Sequence, residues 1–279
     1  MLFDGKAFAR VRLRALQEER KVFGPLRLGI VVSSADSVTA SYVKIKERNA
    51  AALDIELVRF PVSEQASQAE VEAVVREANG CDGVIVQLPL PAAIDADAIV
   101  NAMDIAKDVD VISKEATARF ARGESPVMPP VAAAIARIID AEGIAIKGKA
   151  AVVVGKGKLV GEPSRVLLES LGARVTALGK GDALFAHTRD ADIIVLGTGV
   201  PSLLEPNMVK SGVSVFDAGT SESGGAVVGD ADPRVAEKAS FFTPVPGGIG
   251  PVAVVEIFGN LLILEKSQHE KRSGDLFRR

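Results

Sequence analysis

An α/β fold in two domains is what this sequence predicts, on three observations. Short apolar runs alternate with longer stretches of helical periodicity, the pattern of parallel strands joined by crossover helices. The 279 residues exceed one typical domain, and 48% of them are hydrophobic, enough to fill two cores of roughly 100 to 150 residues each. The third observation is Ser125-Pro126-Val127-Met128-Pro129-Pro130, where the prolines remove backbone donors and push the residues before them out of helix. A loop and a domain junction are expected there.

Taken in order, strands are predicted at 28–32, 56–60 and 83–87, with helices at 38–53 and 68–79 that are long enough to cross back over a sheet. After the proline loop, 130–141 reads as an alanine-rich helix suited to a rigid connection. A second unit starts at Lys149, with strands at 150–154, 174–178, 193–196, 213–217 and 241–243 and a helix at 160–171. The last periodic segment, 252–265, is a helix expected to pack back on the first domain. Beyond Lys266 the chain is polar and ends Arg278-Arg279, a tail expected to fray in solvent. The domains are drawn at 1–125 plus 252–279 and at 126–251, with an active-site cleft between them.

Composition narrows the partners. The longest apolar runs fall far short of the roughly 20 residues that span a bilayer, and the N-terminus lacks the order of a secretory signal, so a cytoplasmic protein without membrane contact is expected. Cys81 is the single cysteine and stands before a strand, which suits a small buried filler better than a nucleophile. His187 and His269 are the only histidines and lie far apart, so no metal site is expected. With a net charge of −3, no tryptophan and one tyrosine, the chain shows no surface for nucleic acid.

The turn Val154-Gly155-Lys156-Gly157-Lys158-Leu159-Val160-Gly161 joins an apolar strand to a helix. Glycines there let backbone amides approach a pyrophosphate at a helix N-terminus. The spacing is one residue longer than the usual dinucleotide fingerprint, and its context points to a Rossmann-type domain. Where an acid would bind an adenine ribose, Leu178-Gly179-Lys180-Gly181 offers a lysine. That favours a 2′-phosphate, hence NADP over NAD, with Lys156, Lys158 and Lys180 as candidate cations, unless Asp182 folds back onto the ribose or the lysines are simply solvated. Gly197-Thr198-Gly199-Val200-Pro201 follows another strand at its carboxyl end, the edge where open parallel sheets bind ligands.

In the first domain, Ser37 or Thr39 can cap a helix on which Tyr42 and Lys46 project from one face. On spacing alone Tyr42 would pack in the core and Lys46 would be exposed. Gln87, however, ends an apolar strand that Leu88-Pro89-Leu90-Pro91 cannot continue, and Lys107-Asp108-Val109-Asp110 places acids in a loop, where an ordinary Asx turn is the plain alternative.

These segments, with Gly155-Lys156, Val160-Gly161-Glu162-Pro163 and Thr243-Pro244-Val245-Pro246-Gly247-Gly248-Ile249-Gly250-Pro251, occur in the order found in bifunctional methylenetetrahydrofolate dehydrogenase/methenyltetrahydrofolate cyclohydrolases. The chain resembles that family from Asp4-Gly5-Lys6 to Asn260. The resemblance implies that Lys46 moves protons and opens the methenyl ring with water, that Gln87 is its hydrogen-bond partner, that Tyr42 stacks on the aminobenzoate and that Asp110 grips the pterin. It makes Leu88, Pro89, Gly247, Gly248 and Pro251 candidate substrate contacts. Candidate cofactor contacts are Gly155, Lys156, Gly157, Val160, Gly161, Lys180, Thr198, Gly199 and Thr220. A homodimer acting on one-carbon tetrahydrofolates is implied.

The sequence departs from the family at Val111-Ile112-Ser113, where glycine, an aromatic and a polar residue are usual, and at Val127-Met128, where polar residues are. Gly157 and Lys156 replace a common serine and arginine, and Val252-Ala253 a methionine-threonine pair. A related dehydrogenase of another small molecule and a folate-binding paralogue without activity are the alternatives.

Overall fold

The computed structural model describes residues 1–33, 37–223 and 226–276. The chain divides into two compact units, Met1–Arg10 with Val131–Ala253, and Val11–Pro130 with Val254–Arg279. Among the described residues no helix is long and apolar enough to cross a membrane, and no group of three or more His, Cys, Asp and Glu could hold a metal ion.

Helix α1 (Gly5–Arg20) opens behind Asp4, whose carboxylate accepts the Ala7 amide at 2.9 Å and so meets one of the donors a helix start leaves free. Then come β1 (Leu26–Ser33), α2 (Ser37–Ala52), β2 (Ile55–Val62), α3 (Gln68–Ala78) and β3 (Gly83–Val86). The strands pair in parallel in the order β2-β1-β3. Central β1 carries the apolar run 28–32, with Leu28, Ile30 and Val31 fully buried, as a strand covered on both faces requires. Pro61 is confined to edge strand β2, where a missing donor is tolerated. Strand β3 ends one residue before the predicted limit, although the Gln87 amide still donates to Val31 O at 2.8 Å. The unit continues with α4 (Ala96–Asn101), a 3-10 turn at Ile105–Lys107, α5 (Lys114–Ala121) and the first residue of α6 (Pro130–Ala141).

The other unit carries β4 (Ala150–Val154), α7 (Gly161–Ser170), β5 (Arg174–Leu178), α8 (Leu184–Thr188), β6 (Ile193–Leu196), β7 (Ser214–Asp217), the antiparallel pair β8 (Ser221–Ser223) and β9 (Ala226–Val228), and β10 (Phe241–Thr243). Its main sheet is parallel throughout, in the order β10-β7-β6-β4-β5. The chain leaves β4 to one side for β5 and returns on the other as β6, so the sheet's topological switch point lies between β4 and β6.

The final helix, α9 (Ile249–Leu276), runs through the segment expected to fray. No proline or glycine interrupts 252–258 or 260–273, and the polar residues after Lys266 include good helix formers. Ser267 Oγ donates to Ile263 O at 3.0 Å, His269 lies 3.1 Å from Glu265, and Gln268 Nε2 donates to Ala106 O at 3.1 Å. Arg278 and Arg279 lie outside the described residues. Helix α9 packs on elements of the first half: Asn260 Nδ2 donates to Val109 O at 2.8 Å and to Met128 O at 2.7 Å, and Arg12 reaches Glu256 at 3.2 Å.

Candidate active site

Helix α2 turns Val43, Lys46 and Ala50 inward at helical spacing. Lys46 is therefore buried, with 6% of its surface exposed, rather than solvated as its spacing alone would suggest. Its Nζ donates to Gln87 Oε1 at 2.7 Å. Gln87 is fixed by its backbone pairing with Val31 and by Nε2, which donates to Leu88 O at 2.9 Å. Burial pulls the Lys46 pKa below its ordinary value, and the negative charge of Asp110 partly opposes that shift. A lysine so placed is brought closer to its neutral, proton-accepting form. Tyr42 stands on α2, but its side chain, like those of Ser37 and Thr39, lies outside the described residues.

The loop carrying Asp110 is held from several sides. Asp108 forms a parallel bridge with Val84 of β3, while Asn260 secures Val109 O. The Asp108 carboxylate accepts the Ile112 amide at 3.1 Å and the Ser113 amide at 2.8 Å. The two acids thus divide the work: Asp108 makes the turn, and Asp110 is near enough for its charge to act on Lys46. Burial pushes the Asp110 carboxyl up to about 6, against the pull of the Lys46 charge and with a smaller push from Asp108. Next to it Val111 adopts φ 52°, a left-handed conformation that strains a β-branched residue. This is one of the positions where the resembled family carries glycine.

In the other unit, the glycine turn after β4 sits at the switch point. Gly155 has φ +104°, and a Cβ there would lie 2.5 Å from Gly197 O; a Cβ on Gly161 would lie 2.0 Å from Gly155 O. Only glycine allows this close backbone packing. Helix α7 begins there with no side chain capping it at Val160, so its N-terminal dipole faces the turn. Lys156 lies 3.7 Å from Asp182, and Asp182 accepts the Gly179 amide at 2.7 Å; these contacts hold its pKa below the usual carboxylate range. Lys156, Gly157 and Lys180 are exposed, and Gly161 is buried. A tight glycine turn against an uncapped helix start, with lysines beside it, fits a dinucleotide pyrophosphate and a further phosphate.

The turn after β6, at the sheet edge where a ligand is expected, directs its amides onto a buried side chain. The Thr198 amide and hydroxyl and the Gly199 amide all donate to Asp230 Oδ2, at 2.6, 2.8 and 3.2 Å. Ser221 Oγ donates to Gly199 O at 2.6 Å, while Thr220 is exposed. Asp230 and the neighbouring buried Asp217 escaped the sequence reading. The only local signal is Val228-Gly229-Asp230, an acid straight after an apolar strand, and its partners are 31 and 32 residues away. Gly247, Gly248 and Pro251 gather at the start of α9, where Gly247 has φ +104°.

A two-unit α/β protein with a Rossmann-type nucleotide-binding unit, and a buried lysine grouped with an amide and an acid in its other unit, is the class these features define. Residues 3–110 match the family described as tetrahydrofolate dehydrogenase/cyclohydrolase, catalytic domain, and residues 129–269 match its NAD(P)-binding domain. The chain belongs to the tetrahydrofolate dehydrogenase/cyclohydrolase family. The bifunctional protein FolD of Halothermothrix orenii is 36% identical, over 95% of this chain and 98% of that protein. That of Acidiphilium cryptum is 37% identical, over 94% and 96%. The crystal structure of the FolD dehydrogenase/cyclohydrolase of Campylobacter jejuni superposes with a TM-score of 0.91 at 32% identity, covering 96% of this chain and 99% of that one. FolD of Trypanosoma brucei, solved with NADP and an inhibitor, gives 0.90 at 30% identity, covering 96% and 98%.

Proposed function

We propose that the protein oxidises 5,10-methylenetetrahydrofolate to 5,10-methenyltetrahydrofolate with NADP and hydrolyses the product to 10-formyltetrahydrofolate. The observation that carries this reading is the hydrogen bond of buried Lys46 Nζ to Gln87 Oε1, within reach of the Asp110 charge. When bound, NADP supplies the hydride acceptor. The chain's own residues hold the folate and move protons. Asp110 accepts the adjacent amino and ring N–H groups of the pterin in parallel, Tyr42 stacks on the aminobenzoate, and Leu88, Pro89, Gly247, Gly248 and Pro251 line the substrate. Loss of hydride leaves a cationic methenyl bridge, which disfavours a charged ammonium nearby and keeps Lys46 Nζ free to accept a proton. Water then adds to the bridge carbon. Nζ takes a proton from that water and returns one to N5 as the carbon–N5 bond breaks, with one proton released overall. Gln87 fixes the direction of Nζ throughout.

Gly155, Lys156, Gly157, Val160 and Gly161 hold the cofactor's phosphates, with Lys180, Thr198, Gly199 and Thr220 flanking them. Purified protein mixed with methylenetetrahydrofolate and NADP is expected to accumulate reduced cofactor, and added methenyltetrahydrofolate is expected to decay faster than without protein. Folate binding without reduction of NADP or NAD would favour a non-catalytic paralogue. The proposal extends to a homodimer in the cytoplasm, on the family resemblance and the composition. A monomer mass in light scattering at working concentration would remove the first part.

A further inference from the structure

The turn after β6 hangs on one buried carboxylate. Asp230 is fully buried, and a single oxygen, Oδ2, takes the Thr198 amide, the Thr198 hydroxyl and the Gly199 amide. Its other oxygen, Oδ1, has no hydrogen-bond partner among the described residues. It lies against Gly219, where a Cβ would come within 2.1 Å. Asp230 is held in turn by Asp217 at the end of β7, which accepts the Asp230 amide at 3.2 Å, the Ala231 amide at 2.8 Å and the Gly219 amide at 2.9 Å. Ser221 Oγ closes the far side of the turn on Gly199 O.

The Thr198 and Gly199 amides both point onto Asp230, so the turn offers a ligand a preformed surface rather than these two donors. That surface lies across the sheet's switch point from Gly155, which packs against Gly197 O. A buried anion left with one unpaired oxygen is costly, and nothing in the fold of β6 itself requires it. We infer that Asp230, seated on Asp217, is the positioning residue that fixes the Gly197-Thr198-Gly199-Val200 turn in the shape the dinucleotide meets. This rests on the reading of that unit as the cofactor site.

The test compares the wild type with Asp230→Asn, Asp230→Ala and Thr198→Val. Asparagine can keep the three hydrogen bonds on its oxygen but loses their charge-assisted strength, and valine removes one of the three. NADPH affinity is measured by fluorescence titration, together with the KM for methylenetetrahydrofolate and the rate of methenyl hydrolysis, a step that consumes no nucleotide. The dissociation constant for NADPH is expected to rise about threefold in Asp230→Asn and Thr198→Val and about tenfold or more in Asp230→Ala, with folate KM and hydrolysis within twofold of wild type in the two Asp230 variants. Should Asp230→Ala fail to fold, the two milder variants decide. Unchanged NADPH affinity in folded variants would overturn the inference. So would a parallel fall of nucleotide affinity, hydrolysis and thermal stability, which would make Asp230 purely structural. A wild type that binds NADPH without oxidising folate would sink the proposed reaction while the affinity series still judged Asp230. A wild type that binds no nucleotide would sink both.

Discussion

Lys46 occupies a place where a lysine costs stability. Burial lowers its pKa from 10.5, so between the folded and unfolded values the unfolded chain holds more protons. Stability therefore rises with pH through that window, and the cost is present below it. Lys46→Met removes this cost while leaving Gln87 Oε1 without its donor, a loss of about 1 to 3 kcal/mol. Thermal melting is expected to stay within a few degrees of wild type or to rise, while methenyl hydrolysis falls at least about a hundredfold. A deep loss of stability would instead mark Lys46 as a folding residue. Asp110 makes the matching case on the acid side. With its carboxyl near 6, the folate KM of the wild type is expected to climb as pH drops below that value. Asp110→Asn should raise the KM about tenfold to a hundredfold at neutral pH and flatten the profile. At the glycine turn, Gly161→Ala would drive a methyl to within 2.0 Å of Gly155 O. NADPH binding is expected to be lost in a titration that still shows normal folate binding.

Elements were legible where they carry their own punctuation. Strands β4, β5, β6 and β10 are bounded by glycines, charges or prolines and stand where their apolar runs do. Helix α3 announces itself by Ser67 and Glu70, which cap each other, Ser67 N donating to Glu70 at 2.8 Å. Ser67→Ala is expected to cost about 1 kcal/mol, read as a shift in the denaturation midpoint with catalysis unchanged. Helix α1 is not among the helices the sequence predicts, because arginines at 10, 12 and 14 dilute its apolar stripe. In the fold Ala9 and Leu16 are buried and Arg20 bonds the carbonyls of Phe23 and Asp54, so its buried face is partly polar. The grouping of Lys46, Gln87 and Asp110 is legible in the sequence only through the family resemblance, because spacing alone leaves Lys46 on an exposed helix face and Asp110 in an ordinary turn. The Asp217–Asp230 seat could not, since it joins residues whose partners come from separate loops.

At the level of the whole molecule, acid should behave in an unusual way. Asp110 and Asp217 belong to different units, and burial pushes each carboxyl from 3.8 up to about 6. Between those values the native state holds more protons than the unfolded chain, so stability falls as pH rises through the window and the penalty is complete above it. The exposed carboxylates with lowered values, such as Asp232 at about 2, work the other way but only in stronger acid. Melting is therefore expected to be higher near pH 5.5 than near pH 8. The opposite order would show that the penalty of these two acids does not outweigh Lys46, whose burial makes stability rise with pH.

The path of the chain has a consequence for its synthesis. The stretch 11–130 shares its core with residues after 253, and Leu261 fills the space beside Gly83 and Val109. A nascent chain released from the ribosome up to Pro130 thus has an open hydrophobic face that nothing yet translated can cover. That half must wait, guarded or exposed to chaperones and proteases, until the last helix emerges. Chains arrested before residue 254 are expected to be degraded in pulse-chase while full-length ones persist.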